Sequence, residues 1–212
     1  MAITFNNTAN KAQFAGNHPV FQVEPVQYEV MGYMLENAPD AGVVVPQGTP
    51  LSADMKTKKA NICKYAVVVK KKDAKNFYVS DLGFLAAGDK VFISGAETKS
   101  LSTIASVDKK EKLITLSANN TDIKVGDVLV EGKSVTTGEG QEAVTTIEPV
   151  AIPNRIVSRA EVMRENNKSV NAAYRGVPLL NVLNYPSEWL DETSFPGSIL
   201  LKGNPHFLFV TQ

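Results

Sequence analysis

This chain is poor in the side chains on which most catalytic and metal chemistry depends. It has a single cysteine, Cys63, and two histidines, His18 and His206. One thiol closes no intrachain disulfide and founds no cysteine-based zinc framework. Cys63 stands at the head of an apolar run, NICKYAVVV, and reads as a small buried hydrophobe. Each histidine adjoins a proline and lies outside any His-x-x-x-His or Glu-x-x-His pattern. Neither has a sequence neighbour to fix its tautomer for work as a base or ligand. The phosphate-cradling loop Gly-x-x-x-x-Gly-Lys-Ser/Thr is missing, as are the dinucleotide fingerprint Gly-x-Gly-x-x-Gly and the nucleophile elbow Gly-x-Ser-x-Gly. The nearest glycine cluster, Thr137-Gly138-Glu139-Gly140, puts an acid where a phosphate would need positive charge. The expectation is therefore a non-enzyme with no catalytic residues, no cofactor and no metal ligands.

Charge of one sign is lacking too. Lys plus Arg and Asp plus Glu number 22 each, for a formal net charge of zero. Phosphate neutralisation supplies most nucleic-acid affinity, so direct nucleic-acid binding is not expected. No apolar run approaches the ~18 residues of a membrane span, and no membrane association is expected. The opening MAITFNNTANKAQF has no basic stretch leading into an apolar one, so it does not read as a secretory leader. The sequons at Asn6, Asn119 and Asn167 then carry no glycan meaning. Asp89 and Asp127 invite a calcium reading, but no Asp-x-Asp-x-Asp loop supplies the six or more oxygens calcium takes. Each reads instead as a Gly-Asp turn whose carboxylate bonds the local backbone.

What is present is β patterning. The stretch Leu82 to Gly132 holds LAAGDKVFISG and IKVGDVLVEG, each a Gly-Asp pair followed by alternating apolar residues. Val91 and Ile93 in the first and Val128 and Val130 in the second share one strand face each. Between them KSLSTIASVD and KLITLSANN flank DKKEK, a charged turn. This is a meander of about four strands, spaced as in a small barrel or roll. Val26–Val30 and Met31–Leu35 read as edge strands, Val43–Val45 as a short strand, and PQGTP as a turn. Ile62–Val69 reads as a strand buried on both faces, followed by a solvated turn at Lys70-Lys71-Lys72. Glu131–Gly140 reads as a loop and Glu142–Pro153 as an edge strand. Ser158-Arg159-Ala160-Glu161 has the form of a capping box and predicts a helix running to Gly176. Pro186–Trp189 predicts a short helical turn, and GSILLKGNPHFLFVTQ a hairpin about Gly203-Asn204-Pro205.

The fold class expected is mainly β with minor α: small β-roll or barrel-like modules, one C-terminal helix and an extended N-terminal arm. The domains expected are an arm at 1–25, a β domain at 26–153 with its central meander at 82–132, and an α+β region at 154–212. The arm buries too little to order itself, yet its spaced rings suit packing on a neighbour. Phe5, Phe14 and Phe21 in the arm, with Phe207 and Phe209 near the C-terminus, are the candidate capsid or subunit contacts.

GVVVPQGTPLSAD resembles the Val-x-Pro-x-Gly-Thr-x-Leu opening of capsid decoration proteins of tailed bacteriophages. LAAGDKVFISG…TIASVDKKEKLITLSANNTDIKVGDVLVEG resembles β modules of phage virion proteins, and NRIVSRAEVMRENNKSVNAAYRG is similar to phage head fibre or auxiliary capsid proteins. The resemblance implies a structural virion protein on the outer surface of the capsid, a decoration protein or the base of a head fibre, made in the bacterial host cytoplasm. The partners it implies are the major capsid protein, further copies of this chain in a homotrimer, and a distal fibre protein. The chain has no long repetitive shaft of its own. The rival expectation is a carbohydrate- or host-surface-binding module stacking sugars on Trp189, Tyr185 and Tyr174. A third is a hydrolase using Glu161 and Glu165, one turn apart on the expected helix.

Overall fold

The computed structural model describes residues 20–21, 27–29, 32–138, 144–192 and 198–210. The Gly-Asp repeats seed the part of the chain that closes on itself. In each, a tight turn joins Ala86 to Asp89 or Lys124 to Asp127. The Asp amide donates to the carbonyl three residues back, and its carboxylate accepts that residue's amide, at 2.8 Å in the first copy and 2.7 Å in the second. Gly88 and Gly126 sit in these turns at φ 94° and 95°, a region open to glycine and costly for other residues. The local-backbone reading of both aspartates holds.

Six strands follow this logic: β6 (Tyr65–Lys71), β7 (Asn76–Val79), β8 (Lys90–Ile93), β9 (Ser102–Asp108), β10 (Leu113–Leu116) and β11 (Val128–Thr137). They lie in the order β6-β7-β10-β9-β8-β11, all antiparallel. β11 pairs with both β6 and β8, so the sheet closes into a six-stranded barrel. Closure removes the edges that a four-strand meander would expose. The interior holds Ala66, Val68, Phe77, Val79, Ile104, Ile114, Leu116 and Leu129.

Two expectations change here. β6 alternates, with Ala66 and Val68 buried and Val69 half exposed, because one face of a barrel strand meets water; it is not buried on both faces. The strand also carries through Lys71, whose ammonium donates to the carbonyls of Thr121 and Ile123 at 3.1 and 3.0 Å. The turn instead begins at Asp73.

The barrel is inserted into another sheet. Strands β1 (Gln27–Tyr28), β2 (Tyr33–Leu35), β4 (Pro50–Asp54) and β5 (Lys59–Ile62) precede it, while β13 (Arg155–Val157), β15 (Ser169–Val170) and β16 (Ala172–Arg175) follow it. Together they form one sheet ordered β1-β16-β13-β4-β5-β2-β15, in which only β2 and β5 run parallel. A boundary at 153/154 therefore cuts through a sheet: Arg155 and Ile156 pair with Leu51 and Pro50. A ribbon of β3 (Val44–Val45) and β14 (Glu161–Val162) lies apart from the sheet ladder.

The helix expected from Ser158 to Gly176 does not form. The chain there makes β14, a tight reversal in which Arg164 and Asn167 exchange backbone hydrogen bonds, then β15 and β16. Burial follows period two, with Val162 exposed and Met163 buried. The capping glutamate, Glu161, accepts instead from Arg159 Nε at 2.9 Å and Asn171 Nδ2 at 3.2 Å. A capping box is a local preference, and β13 and β16 are needed to extend the sheet beyond β4, so tertiary pairing overrides it. Among the described residues, helix is confined to α1 (Leu180–Leu183) and a 3₁₀ turn at Ser187–Trp189, the latter where expected. The C-terminal hairpin forms as β18 (Ile199–Leu201) and β19 (Asn204–Phe209), with β17 (Leu190–Glu192) on its far side.

Candidate functional site

The barrel, the split sheet and the C-terminal hairpin meet around one aromatic cluster. Tyr65 from β6, Tyr185, Trp189 and Phe209 stack edge to face with centroids 5.5 to 5.9 Å apart. Phe92 and Val130 from the barrel wall, Ile156 and Ala173 from the sheet, and Leu201 and Phe207 from the hairpin complete it. Tyr65 donates its hydroxyl to the Leu183 carbonyl at 2.5 Å, and Tyr185 donates to the Gly48 carbonyl. The second of these ties the cluster to the Pro46–Thr49 turn, the turn expected from PQGTP. There Thr49 Oγ1 caps the Pro46 carbonyl at 2.8 Å and Gln47 Nε2 reaches the Ser158 carbonyl at 2.9 Å. A cleft of about 580 Å³ opens beside this turn, walled by Val20, Gln47, Tyr65, Asp81, Phe84 and Asn181 among others.

A second tie crosses between barrel and C-terminal region. Glu188 accepts from Ser94 Oγ at 2.5 Å and the Gly95 amide at 2.9 Å, and ion-pairs Lys99 at 3.2 Å. Burial alone would raise its pKa, but these donors outweigh burial and hold the carboxyl below its ordinary range.

These placements revise the candidate contacts. Phe207 and Phe209 share one face, with Leu208 on the other, as the alternation predicts, but both rings are fully buried in this chain's own core. Phe21 is interior as well, and the Leu179 amide donates to the Val20 carbonyl at 2.8 Å. Val20 and Phe21, within the stretch expected to be an arm, are thus packed in this chain's own fold. Phe5 and Phe14 lie outside the described residues. Trp189 and Tyr185 are buried, 1% and 5% exposed, so neither offers a face to a sugar ring. Glu161 lies on β14 and Glu165 in the reversal that follows, with no helix to align them.

The surface that sequence reasoning missed is the continuation of β11. Glu131–Gly140, read as a loop, carries the strand on through Thr137. There it pairs with β12 (Val144–Pro149) from Gly132 opposite Pro149 to Thr137 opposite Val144. Its Gly, Ser and Thr content points to a loop, but the valines and threonines also suit a pleated ribbon, and the pairing with β12 decides for the strand. Lys133, Ser134, Thr136 and Thr137 on one strand and Val144, Thr145 and Thr146 on the other are exposed. Both faces of the outer ribbon therefore meet solvent, and the outer edge of β12 pairs with no described strand. The chain matches no protein-family model, no curated protein and no solved structure.

Proposed function

We propose that this chain is a structural protein of a tailed-phage virion, bound to the outer surface of the capsid as a decoration protein or head-fibre base and self-associating as a trimer. The observation that carries the reading is the projecting β11–β12 ribbon. A two-stranded hairpin is marginal alone in water, and a long unpaired edge invites strand addition. The inner half of β11 is fixed by its place in a closed barrel, so the ribbon is a rigid arm held ready for a neighbour. Exposed apolar side chains at Val144, Val150 and Ile152 extend along its outgoing strand and exit. The polar leader supports the same reading, since its low apolar content with the spaced rings of Phe5 and Phe14 suits packing on a second surface.

Two variants test this. Replacing residues 134–146 by a tight turn should leave the thermal midpoint within a few degrees while shifting light scattering from trimer to monomer. Deleting residues 1–19, and not 1–25, should spare the core and abolish sedimentation with capsids of the parent phage. A monomeric wild type at high concentration that leaves capsids bare would sink the proposal. Binding on a glycan array would favour the surface-binding alternative.

A further inference from the structure

Three side chains converge where the barrel closes. Lys64 lies just before β6, Asp89 just before β8, and Glu131 on β11, the strand shared by both. The Glu131 amide donates to the Lys64 carbonyl at 3.0 Å, and Glu131 stands opposite Val91. Lys64 Nζ lies 2.9 Å from Asp89 Oδ1, 2.8 Å from Oδ2 and 3.2 Å from Glu131 Oε1. The three side chains are 17%, 16% and 19% exposed. Asp89 cannot swing away, because its Oδ2 also accepts the Ala86 amide at 2.8 Å.

A salt bridge needs one carboxylate, and this site has two for a single ammonium. Burial raises the pKa of Glu131, opposed by Lys64, which suits its carboxylate to take a proton from Lys64 and hand it on. Burial works against the charge on Lys64, but Asp89 and Glu131 outweigh it, so the ammonium is the resting form.

We propose that Lys64 and Asp89 become joined by an amide, an isopeptide staple that the folded chain forms on itself with Glu131 carrying the protons. Lys64 gives a proton to Glu131, and the freed amine attacks Asp89 Cγ. One carboxylate oxygen then takes the proton from Glu131 and a second from the nitrogen, and leaves as water. Ammonium and carboxylate are consumed, one amide and one water are made, and Glu131 ends as it began. The nitrogen, already in contact with both oxygens, need only close to the ~1.33 Å of an amide. Intramolecular placement of this kind reaches effective molarities of roughly 10⁵–10⁸ M. The bond would tie β6 to β8 across β11 and lock the barrel shut. It is made once per molecule, consumes no substrate, and holds whatever surface the ribbon binds.

The test is the intact mass of the purified full-length chain, followed over days at neutral pH. The wild type should be lighter than its sequence by one water, and proteolysis should yield a branched peptide joining the Lys64 and Asp89 segments. Lys64→Arg should show the full sequence mass. Glu131→Gln, with a native circular dichroism spectrum, should form the link about 10²–10⁴-fold more slowly. A folded wild type that keeps its full mass overturns the proposal, as does a mass deficit surviving in Lys64→Arg. A Glu131→Gln chain that crosslinks at the wild-type rate removes Glu131 from the step.

Discussion

Replacing Trp189 by alanine should cost the fold about 3–5 kcal/mol, the range for emptying a large aromatic site in a packed core. Trp189 is 1% exposed and sits where all three parts of the chain meet, ring to ring with Tyr65 of the barrel and with Tyr185 beside the Pro46–Thr49 turn. No one part can collapse into the space without pulling away from another. At roughly 2–4 °C per kcal/mol for a chain of this size, the thermal midpoint should fall by more than any surface change could bring about. Trp189→Phe should be far milder. Trp189 Nε1 is buried with no hydrogen-bond partner among the described residues, and an orphaned donor itself costs about 1–3 kcal/mol. Removing it offsets much of the lost ring area. Urea denaturation of both variants distinguishes the cases. If Trp189→Ala costs under about 1 kcal/mol, the cluster does not hold the three parts together.

The barrel was legible because its signals are local. The Gly-Asp turns and the charged turn closed by Asp108 on the amides of Lys110 and Glu111 lie within a few residues of the strands they set. The alternation expected after each pair holds for Val91 but not for the second copy, where Leu129 faces the barrel interior and Val130 packs in the aromatic cluster. Closure was not legible, because it depends on β6 and β7, far upstream, pairing with β11 and β10. The split sheet was hidden for the same reason: β13 reaches over the whole barrel to find β4. The helix expected at Ser158 shows the converse hazard, a strong local signal overruled by a distant partner. Of the candidate contacts, Phe207 and Phe209 were placed correctly on one face of a strand. Period two says which residues share a face, but not whether that face turns to a neighbour or to the chain's own interior. The site with the most chemistry, Lys64, Asp89 and Glu131, had no signature, since its members are brought together only when the barrel shuts.

Replacing Glu29 by alanine should be comparably severe, at about 3–5 kcal/mol, because it strands a buried cation. Glu29 Oε1 accepts from Arg155 Nε at 3.0 Å and Nη2 at 2.8 Å, while Oε2 takes Lys58 Nζ at 2.7 Å. The Arg155 side chain is 9% exposed and the Lys58 side chain 42%, so water can serve Lys58 but hardly Arg155. The pair also ties β13 to the segment after β1, where the Glu29 amide bonds the Ala172 carbonyl at 3.1 Å. Changing both partners, Glu29→Leu with Arg155→Met, removes the unpaired charge and should recover most of the loss, since apolar replacements of buried pairs are often neutral or better. The pH dependence gives an independent readout. Burial would raise the Glu29 pKa, but the hydrogen bonds from Lys58 and Arg155 outweigh it and hold the group down at about 2, against an ordinary 4.5. Burial, with the Glu29 carboxylate nearby, pushes the Tyr33 phenol up to about 12. A carboxyl depressed on folding adds stability that is fully present above its unfolded value and is lost as pH falls through its folded one. Stability should therefore decline from about pH 4.5 towards pH 2 in the wild type, and Glu29→Gln should flatten that decline while lowering stability at neutral pH. Glu188, also depressed, keeps the slope from vanishing. An unchanged acid slope in Glu29→Gln would mean that Glu29 ionises as freely in the folded chain as in the unfolded one, and that Arg155 is balanced by something else.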